Sequence, residues 1–299
     1  MHLCIFNPEH DLCLAKGRAN YVPPRSAVEF ARRDAGIMQA LYPDARCCSV
    51  YDLTTFHFPL STSYSVVAWG WDAVVKHELL KRGCPEALLP SDSEIETIRE
   101  LQHRSTVLPL QADCCEVHSV GEMESLLRER EHWVMKAPWS GAGRGLRWVH
   151  GALTAIDRDW LLKTVATQRC VIAEPRREVV ADVALEYMVR SGDCVVDSAC
   201  PRMQPTPPTF IGYSYFRTGS GVYKENIAWS DERIETTFRL LPVRERVERW
   251  LEENVWPRYR GPLGVDLMVD TQGQVHVSEI NFRHTMGMVA HERIKVKDC

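Results

Sequence analysis

The sequence predicts a protein of mixed α/β and α+β class, and three features of the chain indicate this. Over roughly the first hundred residues, strand-like apolar segments alternate with helix-like segments, which is typical of a parallel α/β lobe. A glycine-rich turn joins two strand-like segments over residues 133–149. Apolar and polar residues then alternate on both sides of a turn at Gly273, as in a β-hairpin.

Length and composition restrict the classes of protein that fit. A chain of 299 residues can form two or three lobes, and 45% hydrophobic with 25% charged residues is typical of a folded globular protein. The formal net charge of −4 argues against bulk nucleic-acid binding, which needs a basic face. We find no signal-peptide pattern and no apolar segment near the ~20 residues of a membrane helix. We therefore expect neither nucleic acid nor a membrane as partner.

The cysteines indicate a reducing environment. There are 11 of them, scattered along the chain, with no Cys-x-x-Cys pair and no zinc-like Cys/His spacing. An odd number cannot pair completely within one chain. We therefore expect reduced thiols and a cytoplasmic protein.

The first lobe is expected to contain three strands separated by helices. Ser26 and Asp72 each precede a segment of helical periodicity and can accept the hydrogen bonds of an N-cap, and a further helix is expected to start near Ser91 or Asp92. The strands are predicted near residues 3–6, 48–51 and 65–69.

A segment rich in Asn, Pro and Gly follows the first strand, over residues 7–24, and is predicted to be a loop. Ligands of parallel sheets bind at the carboxyl ends of the strands. Polar residues in this segment are therefore candidate substrate contacts, although a loop fixed by local Asx turns is an equal alternative. The candidates are Asn7, His10 and Asp11.

The glycine-rich turn over residues 140–145 is a candidate phosphate-binding element. Glycines allow backbone N–H groups to approach phosphate oxygens, and Lys136 on the preceding strand supplies a positive charge. The spacing Gly-x-Gly-x-Gly matches neither a P-loop nor the dinucleotide fingerprint. An ordinary hairpin turn is the alternative.

The hairpin around Gly273 contains three potential metal ligands. Asp266 lies on its first strand, and Glu279 and Asn281 lie on its second. Oxygen ligands without cysteine suit Mg²⁺, which proteins usually hold through one or two carboxylates together with substrate phosphates. The alternative is an exposed hairpin whose polar face contacts only water.

The stretch over residues 200–226 is predicted to be irregular, because its proline and glycine density disfavours a helix. Its many aromatic residues argue against plain disorder. We expect a segment that covers a substrate, and the alternative is an ordered, aromatic-packed excursion. Its candidate substrate residues are Arg202, Arg217, Lys224 and Asn226.

Three of these segments together resemble the ATP-grasp superfamily. Asp266 followed by Glu279-Ile280-Asn281-Phe282-Arg283 resembles its metal-binding signature, and the turn over 140–145 resembles its flap. Residues 170–182 resemble the strand and linker that join its two nucleotide lobes. The resemblance covers roughly residues 100–290 and implies the ATP-grasp fold, in which two α+β lobes grip ATP. The implied domains are a small parallel α/β lobe at 1–100, an N-terminal lobe with the flap at 101–170, and a C-terminal lobe with the metal hairpin at 171–299.

The resemblance also implies roles for individual residues. Asp266, Glu279 and Asn281 would hold two Mg²⁺ ions that bridge the ATP phosphates. Lys136 would contact the α- and β-phosphates. Arg104 is the nearest substitute for an earlier lysine that the family commonly has and this chain lacks. The other implied nucleotide contacts are Ser140, Gly141, Gly143, Arg144 and Gly145 in the flap, Glu174 at the adenine amino group, and Asp182 near the ribose.

The activity implied by the resemblance is that of an ATP- and Mg²⁺-dependent ligase. It would join a small-molecule carboxylate to an amine or thiol through an acylphosphate, and release ADP and phosphate. Arg283 would orient the carboxylate or stabilise phosphoryl oxygens, and would share the catalytic role with Lys136. Two alternatives stay open: a small-molecule kinase with the same ATP site, and a nucleotide-binding protein without turnover. We make no prediction of an oligomeric state.

Overall fold

The computed structural model describes residues 2–55, 65–141, 145–189, 207–219, 222–229, 231–256 and 258–295. These residues form three β-sheets, of three, four and five strands. Each sheet is built from a continuous part of the chain.

The first sheet is parallel, with strand order β2-β1-β3. Its buried side chains, such as Leu3, Ile5 and Val66, pack against helices that connect or follow the strands. This confirms the predicted parallel α/β lobe. Its elements are β1 (His2–Ile5), α1 (His10–Lys16), α2 (Arg25–Arg33), β2 (Arg46–Cys48), β3 (Ser65–Ala68), α3 (Ala73–Lys81) and α4 (Asp92–Leu101).

One of the two predicted helix caps is confirmed, and the helix expected near Ser91 or Asp92 begins at Asp92. The Asp72 side chain accepts hydrogen bonds from the first turn of α3, and Ser91 forms a capping box with Glu94 at the start of α4. The prediction for Ser26 is wrong. Helix α2 begins at Arg25, directly after a proline, so Ser26 lies inside the helix.

The prediction of a loop throughout residues 7–24 is also wrong, because it contains the seven-residue helix α1. Burial of Cys13 and Leu14 stabilises this short helix, and Gly17 ends it in a left-handed conformation with φ of 58°. The second strand lies slightly earlier than predicted, since Val50–Thr55 forms a 3-10 helix.

The second sheet is antiparallel, with strand order β4-β7-β5-β6. Strands β5 and β6 flank the glycine-rich turn, as predicted. The expected domain boundary after residue 170 falls directly before β7, which pairs with β4 and β5 in this sheet; the boundaries between lobes stay a prediction. The elements are β4 (Cys115–Val117), α5 (Val120–Glu129), β5 (His132–Lys136), β6 (Leu146–His150), α6 (Ala155–Gln168) and β7 (Val171–Pro175).

The third sheet is antiparallel, with strand order β10-β9-β8-β11-β12. The predicted metal hairpin is formed by its last two strands. Helix α9 packs on β9 and β10. The elements are β8 (Val179–Val189), β9 (Thr209–Gly219), β10 (Val222–Trp229), α7 (Asp231–Phe238), α8 (Leu241–Asn254), β11 (Gly261–Asp270), β12 (Val275–Asn281) and α9 (Met286–Lys295).

The expectation of irregular structure over residues 200–226 is wrong for the part that the structure describes. Strands β9 and β10 pair along almost their whole length. The aromatic residues account for this, because Tyr213 is fully buried and its ring packs edge-on against Phe210.

A β-bulge interrupts the pairing of β11 with β12. Asp266 pairs with Glu279, but the next residue, Leu267, pairs with Val277, so Ser278 is an extra residue on β12. The alternation of side chains therefore changes at Ser278. As a result Glu279 faces the same side of the sheet as Asp266, while Val277 points into the core.

The segment between β12 and α9 fixes the third sheet to the first lobe. The Nε2 atom of His284 lies 2.9 Å from the Tyr42 hydroxyl, and its Nδ1 lies 3.1 Å from the Ala68 carbonyl oxygen. Val289 packs in one buried cluster with Trp69 and other first-lobe side chains. These contacts hold the first lobe beside the metal hairpin.

Two further findings concern the described residues of all three sheets. Among the described residues, no helix combines the length and the apolar character needed to cross a membrane. The eight cysteines in the described part of the chain are all free thiols.

Candidate active site

The three predicted metal ligands lie together on one face of the β11–β12 hairpin. Asp266 and Glu279 are directly opposite each other in the strand pairing, and Asn281 lies two residues further along β12. The Asn281 side-chain amide donates to Asp266 Oδ2 at 3.0 Å. We call these three residues the ligand cluster.

The ligand cluster fits a hard divalent cation. The atoms that could bind a metal are the carboxylate oxygens of Asp266 and Glu279 and the side-chain amide oxygen of Asn281. Mg²⁺ prefers such oxygen ligands. Burial raises the pKa of Asp266 well above its usual range, and the negative charges of Glu279 and Glu186 raise it further. A bound cation would offset this repulsion between buried carboxylates. The metal-binding role itself stays a prediction.

Arg104 joins the ligand cluster to the glycine-rich turn. Its Nε donates to Glu279 Oε2 at 2.8 Å, and its Nη2 donates to the same oxygen. The remaining N–H groups reach the Ala137 carbonyl at 2.6 Å, the Ser140 carbonyl at 2.8 Å and the Ser140 hydroxyl. These contacts use all five donors of the guanidinium. A direct phosphate contact, as predicted for Arg104, would have to replace one of them.

The predicted phosphate-binding lysine and the predicted adenine-binding glutamate contact each other. Lys136 Nζ lies 2.7 Å from Glu174 Oε2, and both side chains are buried. The lysine is also 3.3 Å from the Ser278 hydroxyl on the hairpin bulge. Burial raises the pKa of Asp182, and the charge of Lys136 partly counteracts this effect.

The glycine-rich turn is described at its two ends. Gly145 has a φ of 71°, which favours glycine, and its carbonyl accepts from the Ala137 N–H at 2.8 Å. Gly141 lies so close to Asp11 that a Cβ atom at this position would overlap the carboxylate. Two other predicted contacts, Gly143 and Arg144, lie outside the described residues.

Arg283 reaches from the ligand cluster to the first lobe. Its Nη2 donates to Asn281 Oδ1 at 2.8 Å and lies 3.4 Å from Asp11 Oδ2. Burial alone lowers the pKa of Arg283, but the carboxylates of Asp11, Glu279 and Asp266 raise it above its usual range. The guanidinium therefore stays charged among acidic side chains.

The other first-lobe candidates are held by neighbours within the lobe. The Asn7 side-chain amide donates to the Gly70 carbonyl at 2.7 Å and to Asp72 Oδ2 at 2.9 Å. His10 Nδ1 lies 3.4 Å from the same Asp72 oxygen. Both side chains are fully buried. Their contacts fix the end of β1 against the start of α3.

Of the four candidates from residues 200–226, only Asn226 has a described side chain. Arg202 lies outside the described residues, and only the backbone positions of Arg217 and Lys224, on β9 and β10, are described. The Asn226 side chain donates to the Ser214 hydroxyl at 3.2 Å. It also lines a cavity of about 660 Å³ between α9, β10 and residues 39–43, which no member of the ligand cluster lines.

Glu186 on β8 is a site residue that the sequence analysis missed. Glu186 on β8 and Asn281 on β12 both pair with Gly264 of β11, so they lie level with each other on the two sides of β11. Glu186 is fully buried, and its two carboxylate oxygens accept from Thr285 Oγ1 at 2.6 Å and Ser214 Oγ at 3.0 Å. Burial raises the pKa of Glu186 to about 7. Glu186 stands between the apolar stretches Val183–Leu185 and Tyr187–Val189 of β8, and an acid in such a position is the signal that could have revealed it.

A separate group of possible metal ligands lies on the second sheet. Among the described residues, Glu131, His132 and His150 bring one ligand atom each within 4.8 Å of one another. All three side chains are exposed, and the two imidazoles stack with ring centres 4.2 Å apart. The group lies at the opposite end of the β5–β6 pairing from Lys136, so it is separate from the ligand cluster.

Comparison with known sequences gives no match: no model of a protein family and no curated protein matches this chain. Solved structures do match in fold. D-cycloserine synthetase superposes with a TM-score of 0.57 at 10% identity, covering 100% of this chain and 99% of that one. Biotin carboxylase from Campylobacter jejuni gives 0.55 at 12% identity, covering 98% and 67%. N5-carboxyaminoimidazole synthetase from Staphylococcus aureus, complexed with ADP, gives 0.53 at 13% identity, covering 96% and 71%.

Proposed function

We propose, starting from the ATP-grasp fold of this chain, that it is an ATP- and Mg²⁺-dependent ligase. It would join a carboxylate to an amine or thiol through an acylphosphate, and release ADP and phosphate. The similar structures include synthetases, and one of them was solved with ADP. Because identity is only 10–13%, the argument for activity depends on the residues of this chain.

The observation that carries the proposal is the ligand cluster with two guanidinium groups beside it. Asp266, Glu279 and Asn281 would hold Mg²⁺, which neutralises phosphate charge when bound. Arg104 holds Glu279 in place, and Arg283 holds Asn281. Ligands that are oriented by further hydrogen bonds favour a metal site over a solvated hairpin face.

The nucleotide would lie between the second and third sheets. We propose that Lys136 contacts its phosphates, that Glu174 receives the adenine amino group, and that Asp182 lies near the ribose. Lys136 is within reach of Ser278 on the metal hairpin, so the two sheets approach each other at this point. Glu174 would hold the lysine in position until phosphate replaces or joins this contact. The glycine-rich turn would cover the phosphates through Ser140, Gly141, Gly143, Arg144 and Gly145.

Arg283 is the proposed catalytic residue beside Lys136. A carboxylate that attacks the γ-phosphate must approach against like charge, and a fixed guanidinium lowers this barrier. The contacts of Arg283 with Asn281 and Asp11 fix its position between the ligand cluster and the first lobe. The carboxylate substrate would therefore bind where these two parts meet, near the end of β1 and its candidates Asn7, His10 and Asp11.

A kinase acting on a small alcohol would use the same nucleotide site. The ligase is favoured because Arg283, a group suited to a carboxylate, lies beside the ligand cluster. A nucleotide-binding protein without turnover would not need a catalytic arginine beside the ligand cluster.

The test is a screen for ADP release across combinations of carboxylates and amines, with and without Mg²⁺. A ligase releases ADP only when an acid, an amine and Mg²⁺ are all present. ADP release with an alcohol alone would indicate a kinase. ATP binding without ADP release under any combination would support the non-catalytic alternative and contradict the proposal. Glu252→Gln, at an exposed position on α8, is the matched control for acid-to-amide substitutions in the ligand cluster.

A further inference from the structure

Asp11 lies where the three parts of the protein meet. It belongs to α1 of the first lobe, Gly141 of the glycine-rich turn packs against its carboxylate, and Arg283 approaches it from the third sheet at 3.4 Å. It is 4% exposed. Only one of its two oxygens takes part in these contacts, and that oxygen is Oδ2.

The other oxygen, Oδ1, is buried and has no hydrogen-bond partner among the described residues. A buried carboxylate oxygen without a donor is costly, typically by several kcal/mol when the group is ionised. Polar atoms left in this state inside a protein are rare and usually have a functional explanation. A ligand that brings a hydrogen-bond donor to Oδ1 would remove this cost.

Two neighbouring atoms are also buried without a described partner, namely Oε2 of Glu9 and Nε2 of His10. They differ from Asp11 in chemistry. Burial raises the pKa of Glu9 to about 7, so this carboxyl carries its own proton for much of the time near neutral pH. Burial also acts to raise the pKa of Asp11, but the positive charges of Arg283, His10 and Arg104 bring it below its usual value. Asp11 is therefore the ionised acceptor of the three.

We propose that Asp11 binds the ammonium group of the amine substrate through Oδ1. An ammonium has only donors, carries the charge that a buried carboxylate requires, and is the neutral-pH form of a primary aliphatic amine. The inference rests on the proposed ligase function and narrows its substrate class. The amine would be a basic primary amine, rather than a neutral nucleophile such as an amide nitrogen or an alcohol.

The position of Asp11 agrees with the reaction. Arg283, the group proposed to orient the carboxylate, is in contact with Asp11, so the two substrate groups that must combine would be held side by side. Gly141 covers the same carboxylate, and a side chain at this position would occupy the space next to Oδ2. Asp11 would thus bind and orient the ammonium and accept one of its protons. The resulting amine nitrogen would attack the carbonyl carbon of the acylphosphate, so that the C–N bond forms as the C–O bond to phosphate breaks, and phosphate would leave with the second proton of the nitrogen.

Direct binding tests the inference without requiring turnover. The full chain is titrated with n-propylammonium chloride and, separately, with 1-propanol as a neutral isostere, at constant ionic strength. We expect Asp11→Asn to weaken n-propylammonium binding at least about tenfold, because the amide keeps the shape but loses the charge. Glu9→Gln, the matched control in the neighbouring acid, should leave this affinity unchanged, and 1-propanol should not compete. Equal affinity in the original protein and Asp11→Asn, or no binding to the original protein, would overturn the inference.

If Asp11→Asn does not fold, a crystal structure of the unsubstituted protein with n-propylammonium tests the same inference. The ammonium nitrogen should lie about 2.7–3.2 Å from Asp11 Oδ1. A water molecule alone at Oδ1 would contradict the inference. The ligase proposal fails separately: ammonium bound at Asp11 without ADP release in the substrate screen would refute the ligase and leave the binding site. Conversely, ligase activity with an unchanged KM for the amine in Asp11→Asn would refute only the role of Asp11.

Discussion

Arg104 binds Glu279 through two N–H groups that share one carboxylate oxygen, Oε2. The two residues are 175 positions apart in the chain, and the pair is largely buried. The same guanidinium holds both the carbonyl and the hydroxyl of Ser140 at the start of the glycine-rich turn. Arg104 therefore couples the orientation of a predicted metal ligand to the position of the turn, which makes it a positioning residue in the proposed mechanism.

Replacing Arg104 with lysine tests this coupling. A single ammonium cannot reach Glu279, Ala137 and Ser140 together, since it lacks the planar fork. We expect turnover or Mg²⁺ affinity to fall about 10–100-fold, as for other residues that orient metal ligands. ATP affinity without Mg²⁺ should change much less. Arg158→Lys, in a surface ion pair with Glu124, is the control. A loss confined to Mg²⁺-free ATP binding would instead make Arg104 a phosphate ligand.

The metal ligands are tested by Asp266→Asn and Glu279→Gln. Each should abolish Mg²⁺-dependent turnover, because loss of either carboxylate leaves the cation under-coordinated. The fold should persist. Since burial and neighbouring acids raise the pKa of Asp266, its ionised form is destabilising in the metal-free protein, and Asp266→Asn should unfold at an equal or higher temperature. Full Mg²⁺-dependent activity in Glu279→Gln would refute the assignment.

Lys136→Ala is expected to weaken ATP binding about ten- to a hundredfold in calorimetry, which corresponds to the loss of one hydrogen bond to a charged group. The substitution also leaves Glu174 buried without its cation, so it can destabilise the protein. The double variant Lys136→Met with Glu174→Gln removes both charges and separates the two effects. Lys163→Ala, at an exposed position, is the control. Unchanged ATP affinity in both variants would leave Lys136 with a structural role only.

Arg283→Lys tests the reaction type. The variant retains the charge but loses the fork that reaches both Asn281 and Asp11. Turnover should fall about 10²–10³-fold, the usual cost of removing a group that stabilises transition-state charge. ATP affinity should fall much less. Single-turnover rates and ATP affinities are measured in parallel, and an equal loss in both would place Arg283 in the ground-state nucleotide site instead.

The raised pKa of Glu186 predicts that the free energy of unfolding of the protein depends on pH. Burial raises the pKa of Glu186 from 4.5 to about 7, opposed by its hydrogen bonds with Thr285 and Ser214 and by the charge of Arg283. The folded protein therefore holds this proton more tightly than the unfolded chain does. The stability it contributes is fully present below pH 4.5 and is lost as the pH rises through about 7.

Glu186→Gln cannot ionise, so it should become more stable than the original protein as the pH rises. The change in relative stability between about pH 5 and about pH 8 should reach about 2.5 kcal/mol, at about 1.4 kcal/mol per pKa unit. Urea unfolding at both pH values measures it. Glu252→Gln should show no such change. The same stability difference at both pH values would mean that Glu186 is ionised throughout.

The sequence could predict those parts of the site that depend on local pattern. The apolar–polar pattern of β11 and β12, including its interruption at Ser278-Glu279, marks Asp266 and Glu279 as polar positions, and the glycine spacing after Lys136 marks the turn. Both features depend on neighbours in the chain. The ATP-grasp fold was predicted from the order of these features and is confirmed by the structural comparisons.

The missed parts depend on contacts between distant segments. Glu186 joins the site only because β8 pairs with β11 opposite Gly264, and α9 brings Thr285 over it. The five contacts of Arg104 likewise form only after three segments meet. Strands β9 and β10 were missed because nearby prolines and glycines dominate the local signal, whereas burial of aromatic side chains such as Tyr213 decides the structure.

Because of the bulge, insertions and deletions should be tolerated in the turn of the β11–β12 hairpin but not at Ser278. Deleting Ser278 would restore one continuous alternation along β12, and either Glu279 or Val277 would then exchange its environment for the opposite one. By contrast, the exposed turn at 271–274 lies on the far side of the bulge from the ligand cluster. Loop grafting should therefore succeed at this turn, while deletion of Ser278 would turn either Glu279 away from the site or Val277 out of the core without replacing any ligand.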